Sequence, residues 1–171
     1  MLQELLNKHC LDPKNTDKLI ELAREYDRLE QGAMAVSLYL KTADISEDKE
    51  IQYECMIGIA RAYQRQGNRQ WTVKTAYQDA IALMPYRPEA HFFLAEYLET
   101  LQEWKPMLMH TNLALEWYKD GLNLWNYNLP GYGGYEGLLY YQALATWYIC
   151  GTQSGKHAFF NLKHRYDMKD Y

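Results

Sequence analysis

The chain of 171 residues predicts an all-α fold, an α-α superhelix of about four helix pairs whose last pair follows a Gly- and Tyr-rich insertion. Three observations predict it. A helical stripe recurs four times, a second stripe follows each of the first three copies, and turn residues separate the two. The stripe is an apolar residue, an aliphatic-Ala pair and a large, mostly aromatic residue at offsets of three, four and seven, which share one helix face. It reads Leu19, Leu22-Ala23, Tyr26; Met56, Ile59-Ala60, Tyr63; His91, Leu94-Ala95, Leu98; and Tyr141, Leu144-Ala145, Tyr148. The Ala marks where a partner helix comes close.

The alanines stand 37, 35 and 50 residues apart. A two-helix unit of about 34 residues accounts for the first two intervals and leaves about 16 extra residues in the last. Behind each stripe lies a second one, small or apolar, then aromatic or Thr, then small: Ala35, Tyr39, Thr42; Val73, Tyr77, Ala80; Met107, Thr111, Ala114. Spaced four and three, these make a second amphipathic helix that packs on the first. Turns are expected at Gln31-Gly32, Gly67-Asn68 and Gln102-Glu103, a helix N-cap at Ser46, and a break at Pro85 and Pro88. The chain thus reads as a single domain over residues 1–171, with units at about 16–48, 53–87, 88–121 and 138–168 and the insertion at about 122–137.

These units resemble the tetratricopeptide repeat over roughly residues 16–166. The fourth is weaker: Ala158 and Leu162 fit, but Arg165 replaces the final small residue, and in the third Gln102 stands where a turn Gly is usual. An irregular helical bundle is the alternative. The resemblance implies a scaffold that binds a protein or peptide partner and has no catalytic activity of its own.

Composition and motifs narrow the function further. With 48% hydrophobic and 23% charged residues the chain suits a soluble globular protein, and a net charge of -4 argues against binding nucleic acid. No stretch reaches the roughly 20 apolar residues of a membrane span. Residues 1–7 read as an amphipathic helix rather than a signal peptide, so a cytoplasmic protein with no membrane partner is expected. Cys10, Cys55 and Cys150 are odd in number and far apart, which indicates neither a disulfide framework nor a zinc site. His9 and Cys10 are adjacent and so point about 100° apart on a helix, unsuited to a reactive pair. His91 on its apolar stripe reads as a packed imidazole before a metal ligand. A Gly-rich phosphate loop, a Gly-x-Ser-x-Gly elbow, a His-Glu-x-x-His pair and an Asp-x-Asp pair are all missing from the sequence, so neither enzyme, cofactor nor metal is expected.

A finer resemblance covers most of the chain. Tyr53-Glu54-Cys55-Met56-Ile57, Arg65-Gln66-Gly67-Asn68-Arg69, Val73-Lys74 and Pro85 to Ala95 are similar to the repeat region that follows the catalytic domain in certain bacterial and viral glycosyltransferases. So is the run from Leu129 to Leu139, with the later pair Trp147-Tyr148. None of the sugar-transferring half is present. The resemblance implies an accessory or regulatory region beside a glycan-assembly system, with a glycosyltransferase as a potential partner.

Two surfaces are candidates for binding. First helices of stacked pairs line a groove, and there Arg24, Arg28, Arg61 and Arg65 would form a two-by-two patch for carboxylates or phosphates, with Phe92, Phe93 and Glu96 in the third unit. A solvated face laced with local ion pairs from Glu21, Glu25 and Asp27 is the competing reading. Ile20, Arg24 and Gly58 occupy positions where chaperone-tail clamps carry Lys and Asn, which disfavours that ligand. The second surface is the aromatic loop with Trp125, Tyr127, Tyr132 and Tyr135. It suits a protein partner or a sugar ring, or else folds back to plug the groove or cap the third unit. The last helix carries Phe159 and Phe160, which suggests a homodimer through the C-terminal helix.

Overall fold

The computed structural model describes residues 1–119, 129 and 131–167. Among these, all regular structure is helical and forms two compact units, Met1–Pro85 and Tyr86–Tyr171. The division coincides with the Pro85–Pro88 break, at which one helix cannot continue into the next.

Unit 1 contains α1 (Leu2–Leu11), α2 (Thr16–Arg28), α3 (Gly32–Ile45), α4 (Lys49–Gln66) and α5 (Gln70–Leu83). Each packs on its successor, and α2 also touches α4. Asn15 starts α2, its side-chain oxygen accepting the Lys18 N–H at 3.0 Å and so satisfying a donor that the helix itself leaves open. Leu19, Leu22, Ala23 and Tyr26 are all buried, as are Ala35, Tyr39 and Thr42 of α3. Thr42 fits a small core position because its hydroxyl donates to the Leu38 carbonyl at 2.7 Å. The N-cap of α4 is Asp48, which accepts from the Glu50 N–H at 2.8 Å, rather than Ser46. Ser46 closes α3 instead and accepts from the Asp48 N–H at 3.2 Å. The connection is three residues long, so one polar residue ends a helix while the next but one begins another.

Unit 2 contains α6 (Pro88–Thr100), α7 (Trp104–Lys119), α8 (Gly134–Cys150) and α9 (Thr152–Asp167). Again each packs on its successor, and the first helices α6 and α8 touch. Pro88 sits in the first turn of α6, where its missing N–H costs nothing. His91, Leu94, Ala95 and Leu98 are buried, as are Met107, Thr111 and Ala114 of α7, on which α6 packs. Helix α8 begins at Gly134, ahead of the expected 138. Its early start reflects close packing: a Cβ on Gly137 would lie 2.5 Å from the Phe92 ring, so only glycine admits the first turn there. The fourth stripe is buried at Tyr141 and Ala145, but Tyr148 is 57% exposed and stacks on Trp104 with ring centroids 3.9 Å apart. In α9, a Cβ on Gly155 would meet Trp147 Cα at 2.6 Å, which makes Gly155 the close-approach position. The side chains of Leu162 and Arg165 lie outside the described residues.

Candidate functional site

The arginines of unit 1 are held by carboxylates. Arg24 of α2 donates through Nε and Nη2 to Oε1 and Oε2 of Glu54 on α4, both at 2.6 Å. Arg28 donates through the same two nitrogens to Glu25, one turn earlier on α2, at 2.8 and 2.9 Å. Arg65 of α4 pairs back to Asp27 of α2. The side chains of Arg24, Arg28 and Arg65 remain 52%, 62% and 42% exposed, while Glu25 and Glu54 are buried. Hydrogen bonding to Glu54 raises the Arg24 pKa above its ordinary value, and the Arg28 guanidinium lowers that of Glu25. Arg61 is half-buried and its charge acts on the Tyr39 hydroxyl, which burial pushes well above the usual tyrosine range. Beside them the Cys55 thiol is pushed up to about 12 by burial, so it stays protonated at neutral pH. Gly58 is buried under Tyr39 and does not line a groove.

In unit 2, Phe92 and Phe93 are buried rather than displayed. Phe92 meets Tyr132 edge-on at 5.3 Å and Tyr141 at 5.4 Å, so the described end of the insertion covers this part of α6. Glu96 is half-buried and, with Glu99, raises the Tyr141 hydroxyl pKa further after burial has done so. Tyr135 is half-buried in the first turn of α8. Trp125 and Tyr127 lie outside the described residues. His91 turns its Nδ1 to Nδ1 of His110 on α7 at 3.2 Å, a packed imidazole pair. Phe159 packs its ring near Tyr140 and Trp147, and Phe160 is largely exposed.

Two relationships were illegible in one dimension. Arg87 and Glu89, fully buried, bond through Nε to Oε2 at 3.2 Å and Nη2 to Oε1 at 2.7 Å. The cross-helix choice of Glu54 by Arg24 likewise needs the fold, whereas Glu25 and Arg28, three apart on one helix, carry a readable signal. Among the described residues no group of three potential ligands converges on a metal, and no helix is long and apolar enough to cross a membrane.

Helix pairs packed in succession, each first helix touching the next first helix within its unit, define a tetratricopeptide-type fold. No family model matches the chain, and no curated protein is significantly similar to it. Among solved structures it is similar to MamA, with a TM-score of 0.76 at 14% identity over 99% of this chain and 88% of that one. A second MamA structure gives 0.73 at 14% over 99% and 82%. Yeast Tom70 gives 0.73 at 18% over 96% of this chain and 31% of its own. Both proteins are helical repeats of this type, and at such identities the likeness is one of fold.

Proposed function

We propose that the chain is a protein-interaction scaffold with no catalytic activity of its own, and that the α2–α4 surface of unit 1 takes an acidic segment of a protein partner. One observation carries this reading: the side chains of Arg24, Arg28 and Arg65 are all about half exposed and share the helices that meet there. Arginine binds carboxylates through paired N–H groups, and electrostatic attraction between such surfaces is sensitive to salt. Three free cysteines fit a reducing, cytoplasmic setting. A second reading, an accessory region of a glycan-assembly system, is supported by the glycosyltransferase-like runs around Tyr53–Ala95 and Leu129–Leu139. It makes an acidic stretch of a glycosyltransferase the first partner to try. Sugar binding by the aromatic loop has less support, since Tyr132 packs on Phe92.

The test is fluorescence anisotropy of a labelled oligoglutamate peptide with the full chain at low and high salt. Binding that weakens with salt, and that Arg61→Glu both weakens and renders less salt-sensitive, is the expected result. Equal affinity for oligoglutamate and oligolysine rejects the acidic-partner reading.

A further inference from the structure

Arg24 and Arg28 present the same edge to their carboxylates. In both, Nε and Nη2 make the bonds, and in both the accepting Glu is buried while the arginine side chain is about half exposed. A guanidinium has five N–H donors in a rigid plane, so two bonds on one edge leave the Nη1 edge for a ligand. Among the described residues neither Nη1 donates a bond. Arg24 and Arg28 are four apart on α2, hence neighbours on one face.

We infer that Glu25 and Glu54 are positioning residues, which lock Arg28 and Arg24 with their Nη1 edges outward so that the acidic segment meets donors already fixed in place. The inference rests on the proposed acidic-partner surface. An incoming carboxylate does not displace either Glu, because that would strand a buried anion without its counter-charge. It adds to the outer edge instead. The gain is entropic: a long side chain that is already immobilised has no freedom left to lose on binding.

The sign of one measurement decides this. Glu54→Gln and Glu25→Gln each remove a negative charge from a surface that attracts anions, so simple electrostatics predicts tighter binding of the oligoglutamate peptide. Positioning predicts the reverse, a weakening of about threefold to tenfold, the cost of ordering one long side chain on binding. Glu54→Asp keeps the charge and shortens the reach; it too is expected to weaken binding, and it serves where Glu54→Gln fails to fold by circular dichroism. Tighter or unchanged binding in the variants, with wild type binding normally, overturns the positioning role alone. A wild-type chain that binds no oligoglutamate at low salt overturns the surface and this inference together.

Discussion

Gly58 lies directly beneath the ring of Tyr39: a Cβ built on it would meet Cε2 and Cζ of that ring at 2.6 Å. The contact brings α4 close to α3, and it is what an unencumbered backbone at position 58 makes room for. Gly58→Ala is therefore expected to cost about 1–3 kcal/mol by overpacking, despite the better helix propensity of Ala. Urea unfolding checks it, and Tyr39→Leu in the same chain should recover much of the loss. Ala60→Leu, at a fully buried neighbour, is expected to destabilise to a similar extent.

Phe92 and Gly137 repeat the device in unit 2, with 2.5 Å between the ring and the absent Cβ. Gly137→Ala should lower the melting temperature, and Phe92→Leu should partly restore it in the double variant. Additive losses in that cycle would show that the two residues do not compete for the same space.

These two glycines show what a one-dimensional pattern can and cannot carry. The alanine stripes of α2, α4 and α6 were legible because a 3.6-residue period writes burial directly into spacing, and Leu19, Ala23, Ala60 and Ala95 are all buried. In sequence alone Gly58 stands at a clamp position of a groove helix and Gly137 within the insertion, and a glycine signals equally a turn, a flexible segment or a close contact. Only the partner ring across the interface distinguishes these. The same limit applies to charge. Arginines spaced four apart announce a cationic face, but the partner that holds Arg24 stands 30 residues away on another helix.

Gln102 occupies the left-handed region at φ 58°, in the turn between α6 and α7. A side chain with a Cβ is strained there and glycine is not, while glycine loses more entropy on folding. The balance favours Gln102→Gly by about 0.5–1 kcal/mol, a value typical of substitutions matched to their backbone conformation. A higher urea midpoint with unchanged slope is the expected readout. Glu30, at the same φ of 58° in the turn before α3, offers an independent repeat of the test.

The buried pair of Arg87 and Glu89 should behave as buried pairs do when one member is lost. Glu89→Ala removes the bidentate carboxylate from a fully buried guanidinium and is expected to cost about 3–5 kcal/mol. Replacing both residues by apolar ones, Arg87→Met with Glu89→Leu, should cost less, because neither member of the pair is then left buried without the other. Thermal melts of the two variants side by side give the ordering, and a double variant less stable than Glu89→Ala contradicts it.

His110 supplies a dependence on pH. Burial lowers its pKa in the folded chain, and its Nδ1 faces that of His91 at 3.2 Å, a contact in which one nitrogen donates and the other must stay bare. In the unfolded chain the imidazole takes up a proton near its ordinary value of about 6.5. Above that pH both states are neutral and the group contributes nothing to the pH dependence. Below it the unfolded chain binds the proton and the folded chain does not, so stability falls as pH drops toward the depressed folded value. Urea midpoints should therefore decline between pH 7.5 and pH 5.5. His110→Gln, which cannot titrate, should show a smaller decline, although its midpoint at pH 7.5 is lower through loss of the packed ring. The difference between the two profiles isolates this residue from the other histidines of the chain, and parallel profiles would reject His110 as the source.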